Sequence, residues 1–159
     1  MKKINIEYTI LSGNKKEKKL LYSFYIKDIT HHKCSLIGIY SSLYYLITTT
    51  NFQNILSLTI DMPLLTKKSF TTLLNINKAY NSICYVGNQF PLRIKITKKN
   101  LVIVKNLVKN NKFTIKKMLI TLQTKKIKNK PQHNKLLFIN MNTPKDWYLI
   151  NKIVKINKI

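Results

Sequence analysis

The stretch MPLLTKKSFTTLLNINK, residues 62–78, joins two apolar segments of the chain and carries a proline and three lysines but no acid. Pro63 follows an apolar run, and its fixed φ and missing N–H end a strand's hydrogen-bond ladder. Residues 69–76 then resume with phenylalanine, threonine, leucine and isoleucine, which indicates a second strand. The stretch therefore predicts two strands joined by a turn that presents Lys67 and Lys68.

Upstream of this turn, the apolar pattern predicts strands on either side of one helix. Residues 20–29 are rich in aromatic and β-favouring side chains, and residues 54–60 form a further apolar run, so we expect both to be strands. Between them, apolar residues from Leu36 to Ile47 recur at spacings of three and four, which is typical of an amphipathic helix. Residues 4–10 also alternate at the period of a strand.

Downstream of the turn, the chain predicts a loop, a short strand, a helix and a last strand. Residues 77–88 carry a glycine and several asparagines and are expected to form a long loop. Residues 90–96 indicate a short strand, and Thr97 is placed to cap the N-terminus of the helix that follows. Residues 113–122 are again β-favouring, so we expect them to close the sheet as a strand.

The order of these elements predicts an α+β fold. Reading the middle strands as one long hairpin gives the ferredoxin-like split βαββαβ pattern, with an extended hairpin between the middle strands. The domain is expected at 20–123, after an N-terminal extension at 1–19 with a possible strand and a basic loop. A basic linker and a short C-terminal helix are expected at 124–159, with Pro144 at the first helical position.

The charge balance is the strongest compositional signal. The 159 residues include 29 Lys+Arg against 5 Asp+Glu, a formal net charge of +24, so an anionic partner is expected. Nucleic acid is the first candidate and an anionic membrane surface the second. The abundance of lysine, asparagine and isoleucine indicates an AT-rich coding sequence, which weakens any argument from lysine alone. Arg93 is the only arginine, so we expect it to be kept for its planar fork.

The sequence predicts no catalytic or metal centre. The acids are scattered, the three glycines form no phosphate-binding loop, and no serine lies in a nucleophile elbow. We therefore expect a protein that is not an enzyme and uses no cofactor. The acids are Glu7, Glu17, Asp28, Asp61 and Asp146.

The histidines, cysteines and tyrosines favour structural roles. His31, His32 and Cys34 lack the paired ligand spacing of a zinc site, so a polar loop before a helix is favoured. The cysteines Cys34 and Cys84 lie far apart in the sequence, and we expect free thiols in a reducing compartment. Tyr40, Tyr44 and Tyr45 offer a base-stacking surface, but the helical spacing of Tyr40 and Tyr44 favours core packing.

Two motifs and the order of elements resemble the S-ten family of small-subunit ribosomal proteins. In that family the second strand leads into a proline-containing turn followed by basic residues, and IDMPLLTKKSFT at 60–71 is similar to this turn. QFPLR at 89–93 is similar to the family's segment beyond the hairpin tip. The chain departs from the family at Asp61, where the family has a proline, at Leu65, which replaces a second proline, and at Pro91, which replaces an acid.

The resemblance implies a structural component of the small-subunit head of the mitochondrial ribosome, acting in translation. Its partners would be small-subunit ribosomal RNA and other ribosomal proteins of the head. With no import signal apparent, the chain is expected to be organelle-encoded and to lie in the mitochondrial matrix. RNA phosphates would be bound by a set of basic residues. These are Lys67, Lys68, Lys78, Arg93, Lys95, Lys98, Lys99, Lys125, Lys126, Lys128 and Lys130.

Two alternatives share the charge. The first is a basic peripheral subunit of an organelle membrane complex, in which the segment 146–159 would lie in the membrane interface with Trp147 and Tyr148 at the headgroups. The second is a free RNA chaperone or maturase-type factor. The longest apolar run, at 35–47, is shorter than the roughly 20 residues that a membrane span needs. We therefore expect a chain that does not span a membrane.

Overall fold

Six strands and five α-helices are found in the computed structural model, which describes residues 9–13, 23–77, 79–128 and 135–157. The strands are β1 (Thr9–Gly13), β2 (Ser23–Lys27), β3 (Asn54–Ser57), β4 (Ser82–Tyr85), β5 (Leu92–Lys95) and β6 (Lys125–Ile127). The helices are α1 (Ser35–Thr49), α2 (Lys67–Asn75), α3 (Lys98–Lys109), α4 (Ile115–Thr121) and α5 (Pro144–Asn157), and a short 3₁₀ helix covers Lys135–Phe138.

The strands form a four-stranded sheet in the order β3-β5-β4-β6 and a separate parallel pair of β1 and β2. In the larger sheet β5 is antiparallel to both of its neighbours, β3 and β4, while β6 runs parallel to β4. It follows that β3 and β4 are parallel to each other, with β5 between them. Helix α2 connects them, so β3, α2 and β4 form a split βαβ unit.

The predicted α+β class is confirmed by this mixture of helices and sheets. The expected strand at 20–29 contains β2, the expected helix is α1, and the expected strands at 54–60 and 90–96 contain β3 and β5. The split βαβ unit, however, is built from other segments than those predicted.

The most consequential error concerns residues 69–76, which we expected to be a strand. They belong to helix α2, so the extended hairpin of the predicted fold is not formed. The physical reason is that Phe70, Leu73 and Leu74 recur at three and four residues, and this helical period overrides the β-propensity of the threonines. Leu73 is fully buried against β4, and the Thr72 hydroxyl donates to the Lys68 carbonyl within the helix.

The expected strand at 113–122 is also wrong, because its centre forms helix α4. The Thr114 hydroxyl accepts a hydrogen bond from the Lys117 N–H at 3.3 Å and caps the helix. Ile115, Met118 and Leu119 are buried at spacings of three and four, which gives the short helix one apolar face.

Two segments that we expected to be irregular contain strands. The expected loop at 77–88 contains β4, whose four residues are all buried. The expected basic linker after residue 124 begins with β6, in which Lys125 pairs with Ile83 of β4. A short strand with exposed lysines at a sheet edge is hard to recognise from its pattern, because edge strands are commonly charged.

The core lies on both faces of the larger sheet. On one face, Leu92 and Ile94 of β5 pack with α1, α3 and α4. On the other face, Ile83 and Tyr85 of β4 pack with Leu73 of α2 and Phe138 of the 3₁₀ helix. The central strands are therefore buried on both faces, as expected when helices pack against both faces of a sheet.

The parallel pair β1 and β2 is held against α1. The Asp28 N–H donates to the Gly13 carbonyl at 3.1 Å, and the Ser12 hydroxyl donates to the Asp28 carboxylate. A Cβ at Gly38 of α1 would lie 3.2 Å from the Ser12 hydroxyl, so glycine lets the helix approach the strand closely. These contacts occupy the Asp28 carboxylate within the fold.

Candidate functional site

The segment between β3 and α2 carries two buried side-chain oxygens without a partner. The Thr59 hydroxyl and Asp61 Oδ1 are both shielded from solvent and make no hydrogen bond within the described residues. Buried polar atoms are nearly always paired, and this segment carries two unpaired oxygens within three residues, which makes it the candidate ligand-binding segment. The other unpaired buried side-chain atoms of the described residues are single ones, in Thr30, Asn54, Arg93 and Asn100. The segment follows directly from the carboxyl end of β3, and in sheets with parallel strands ligands bind beyond such ends.

The side chains of this segment alternate in exposure. Leu58 is 45% exposed and Ile60 is 93% exposed, while Thr59 and Asp61 turn their oxygens inward. Ile60 is therefore an exposed apolar side chain that lies next to the carboxylate-bearing Asp61 in the sequence. This combination suits a ligand that has both a ring or other apolar part and a polar or charged part.

The segment is tied to the start of helix α5. The Met141 N–H donates to the Asp61 carbonyl at 2.7 Å, which joins two parts of the chain that are far apart in sequence. Next to Met141, the Asp146 carboxylate accepts from the Thr143 N–H at 2.9 Å and from the Thr143 hydroxyl at 2.8 Å. The Asp146 N–H donates back to the Thr143 hydroxyl at 3.2 Å, which completes a reciprocal cap.

This cap also has an electrostatic consequence. The hydrogen bond from the Thr143 hydroxyl, helped by the N–H groups of Asn142 and Thr143, lowers the pKa of Asp146 from its ordinary value. The carboxylate is therefore committed to holding the loop in front of α5. Of the two acids in this region, only Asp61 has a buried oxygen that is left for a ligand.

The donor set at Asp61 fits a hard cation better than a soft one. Among the described residues, no three histidine, cysteine or acidic side chains come together as a metal cluster. Mg²⁺ does not need such a cluster, because it keeps several waters and is commonly held by one or two carboxylates together with substrate phosphates. The partnerless Asp61 Oδ1 and the neighbouring Thr59 hydroxyl are ligands of the type that Mg²⁺ prefers.

Arg93, which we predicted to contact RNA, is placed in the interior. It is 0% exposed, so direct contact of its guanidinium with RNA is contradicted. Its Nη1 donates to the carbonyl of Ile76 at 2.8 Å and to that of Leu73 at 3.3 Å, and its Nη2 donates to the carbonyl of Asn77 at 3.0 Å. Burial lowers the pKa of Arg93.

The physical reason for this placement is the C-terminus of helix α2. The last carbonyls of a helix have no partner within the helix, and a buried guanidinium can satisfy several of them at once. Arg93 lies on β5 next to this helix end, so its planar fork is used to fasten α2 to the sheet. The expectation that this arginine needs its fork agrees with the contacts, but the acceptors are backbone carbonyls.

The predicted lysines lie on several different elements. Lys67 and Lys68 are exposed at the start of α2, Lys98 and Lys99 are exposed in the first turn of α3, and Lys95 is half-buried at the end of β5. Three further lysines are exposed on or just after β6, and two lie outside the described residues. The first group is Lys125, Lys126 and Lys128, and the second is Lys78 and Lys130. Their contact with phosphates stays a prediction.

The remaining candidates take structural positions. His32 stacks near Phe113, with the ring centroids 4.7 Å apart. Cys84 is fully buried, and burial raises the pKa of its thiol. Tyr40 packs in the core as expected, whereas Tyr44 is 51% exposed. Across the part of the chain that the structure describes, no helix is both long enough and apolar enough to cross a membrane.

The site around Asp61 was missed in the sequence. Its partner Met141 is distant along the chain, and no local pattern reports such a contact. One signal was present: Asp61 is one of only 5 acids in a chain of 159 residues, and it directly follows the apolar run at 54–60. An acid that follows an apolar run in so basic a chain is more informative than its spacing from other acids.

Comparison with known proteins gives a fold but no family. No family model matches the chain, and no curated protein matches it. Among solved structures, molybdopterin-guanine dinucleotide biosynthesis protein A from Archaeoglobus fulgidus is similar, with a TM-score of 0.68 and 16% identity over 84% of this chain and 69% of that one. The protein Aq1419 from Aquifex aeolicus VF5 is similar with a TM-score of 0.62 and 20% identity.

The match to the Aquifex protein covers 76% of this chain and 63% of that one, so the chain spans less than two thirds of its length. At these identities the likeness concerns the fold alone. It covers 84% of the chain in one case and 76% in the other.

The resemblance to the S-ten ribosomal family is therefore wrong. Neither of the two similar solved structures just described is a ribosomal protein by its description. The motif that carried the resemblance, at 60–71, runs into helix α2 instead of a hairpin strand. The assignment to the small subunit of a mitochondrial ribosome depended on this resemblance. That assignment, with its role in translation and in binding ribosomal RNA, is therefore wrong as well.

Proposed function

We propose that this chain is an enzyme that binds a nucleotide through its phosphates and acts in nucleotidyl transfer, of the kind that builds a dinucleotide. The observation that carries the proposal is the pair of buried, partnerless oxygens of Thr59 and Asp61 at the carboxyl end of β3. The fold similarity to molybdopterin-guanine dinucleotide biosynthesis protein A supports it and suggests guanine as the base. The proposal departs from the expectation of a protein without catalytic activity.

The position of Asp61 supports phosphate binding. It follows β3, which is parallel to β4, and in sheets with parallel strands the nucleotide binds beyond their carboxyl ends. The hydrogen bond from the Met141 N–H to the Asp61 carbonyl holds this segment in place before a ligand arrives. A site that is held rigid loses less conformational entropy when it binds.

A divalent cation is implied by the charge of the site. An Asp61 carboxylate would repel a polyphosphate unless a cation lay between them, and Asp61 Oδ1 and the Thr59 hydroxyl are the groups that would hold it. When bound, Mg²⁺ supplies charge neutralisation to the phosphates during transfer. The chain's own contribution is to orient the cation-bound phosphates by these two oxygens and to attract them by a net charge of +24.

Calorimetric titration with GTP, with and without Mg²⁺, tests the proposal. Asp61→Asn keeps the size of the side chain and removes its charge, so we expect at least about tenfold weaker binding of Mg²⁺·GTP, which corresponds to about 1.4 kcal/mol. The matched control is Asp28→Asn, which removes the same charge from a carboxylate already bonded to Ser12. It should leave the affinity unchanged.

The activity is tested by supplying molybdopterin and Mg²⁺·GTP and measuring the release of pyrophosphate. The proposal expects release by the unmodified chain and strong loss in Asp61→Asn. Equal GTP affinity in the unmodified chain and in Asp61→Asn would overturn the placement of the site. Absence of any Mg²⁺-dependent binding of GTP would overturn the proposed function itself.

A further inference from the structure

Helix α3 presents a row of lysines on the side opposite its buried face. Its buried residues are Asn100, Val104, Leu107 and Val108. The exposed residues Lys98, Val102, Lys105 and Lys109 follow one another at four, three and four residues, which places them in one line along the helix. At about 1.5 Å of rise per residue, the row is about 16 Å long.

Helix α3 carries no acid that could neutralise this row. The sequence contains no aspartate or glutamate between Asp61 and Asp146, so neither α3 nor the elements that follow it offer a counter-charge before α5. Helix α4 packs on α3 and carries two further exposed lysines, Lys116 and Lys117. The positive charge of this surface is therefore not compensated by any acid of α3 or α4.

The row also goes against the rules that stabilise a helix. Lys105 and Lys109 are like charges at i and i+4, which repel each other, and Lys98 and Lys99 lie in the first turn, where the helix dipole favours acids. Of the row, only Lys109, in the last turn, lies where the dipole favours a cation. A surface that works against local stability in two ways is more simply explained by what it binds than by what it contributes to folding.

We propose that this lysine row, Lys98, Lys105 and Lys109, is a binding surface for the phosphate backbone of nucleic acid. A row about 16 Å long spans about five phosphates of a strand that carries one phosphate per roughly 3.4 Å of axis. Lysine lacks the bidentate fork with which arginine reads bases, so the surface binds without sequence preference. This function is additional to nucleotidyl transfer and independent of it.

A lipid surface fits the same row less well. An interfacial helix needs a broad apolar face to enter the headgroup region, and the apolar face of α3 is buried against α1 and the sheet. Val102, at 52% exposed, is the only apolar side chain within the row. The charges of the row are therefore available to a polyanion, whereas the apolar contact that anchors a helix to lipid is not.

Fluorescence anisotropy with a short labelled single-stranded DNA of mixed sequence, between about 50 and 200 mM salt, tests the proposal. For the unmodified chain the logarithm of affinity should fall linearly with the logarithm of salt concentration. In the triple variant Lys98→Gln, Lys105→Gln and Lys109→Gln, three phosphate contacts are removed, so the slope should become shallower by about 2.

The matched control is the triple variant Lys27→Gln, Lys33→Gln and Lys152→Gln, which removes the same charge from exposed lysines on other elements. Its slope should stay close to that of the unmodified chain. Equal slopes in both triple variants would overturn the proposal in favour of a diffuse positive charge. Binding of phosphatidylserine vesicles that depends on the α3 lysines, without binding of DNA, would overturn it in favour of lipid.

Discussion

Arg93→Lys is predicted to destabilise the protein strongly although it conserves charge. The guanidinium is 0% exposed and donates to the carbonyls of Leu73, Ile76 and Asn77, with a longer bond of 3.5 Å to Tyr80. A lysine has one nitrogen and cannot reach carbonyls on both arms of the fork. At least one, and up to two, charge-assisted hydrogen bonds would be lost.

The size of the effect follows from these contacts. Each hydrogen bond from a charged donor contributes about 1.5–3 kcal/mol, and each carbonyl left buried without a partner adds a desolvation cost of about 1–3 kcal/mol. We therefore expect the free energy of unfolding to fall by about 3 kcal/mol, which is a large part of the total for a domain of this size.

Urea denaturation followed by circular dichroism measures this change directly. The control is Lys98→Gln, an exposed lysine close in sequence, which should change the free energy of unfolding by less than about 0.5 kcal/mol. A loss below about 1 kcal/mol in Arg93→Lys would refute the reasoning, because it would mean that the fork is not what fastens α2 to the sheet.

Two further predictions concern the caps of helices α3 and α5. The Thr97 hydroxyl accepts from the Asn100 N–H at 3.1 Å, so Thr97→Ala should lower the free energy of unfolding by about 1 kcal/mol, measured by urea denaturation, and Thr97→Ser should restore most of it. The pKa of Asp146 is lowered in the folded state by its bonds to Thr143, so its stabilising contribution is present above the unfolded pKa and is lost as pH falls through the folded one. The melting temperature of Asp146→Asn should therefore be lower than that of the unmodified chain at neutral pH and should approach it in acid. A difference in melting temperature that stays constant at all pH values would contradict the assignment.

Helix caps and long apolar periods were recoverable from the sequence because they are local. Thr97 as the cap of α3 and Pro144 at the first position of α5 are both found as expected. Each depends on a residue type at a fixed offset from the helix it begins. Signals of this kind need no knowledge of what packs against the element.

The errors arose where short segments combine β-favouring residues with a helical spacing. In α2 and α4, threonine and isoleucine suggested strands, while the burial of Leu73 and Met118 on one face decided the outcome. Propensity is a weak prior that tertiary packing overrides. The sequence therefore predicted that a split βαβ unit is present, but it assigned the wrong segments to that unit.

The candidate site depended on contacts that a single sequence does not display. Asp61 is a candidate ligand-binding residue because its Oδ1 is buried without a hydrogen-bond partner and because its carbonyl accepts a hydrogen bond from the Met141 N–H. Arg93 is the opposite case, because the sequence indicated a special role for the only arginine of the chain. Its burial in the structure shows that this role is to fasten α2 to the sheet. Charge composition predicted an anionic ligand but could not distinguish a nucleotide from a polymer.

The most direct test of the proposed nucleotide site is paramagnetic broadening of amide NMR signals by Mn²⁺ in the presence of GTP. Mn²⁺ takes oxygen ligands as Mg²⁺ does. The proposal predicts selective broadening of the amides of Thr59, Asp61 and Met141, and its loss in Asp61→Asn. Broadening centred on another part of the chain, or unchanged broadening in Asp61→Asn, would contradict it.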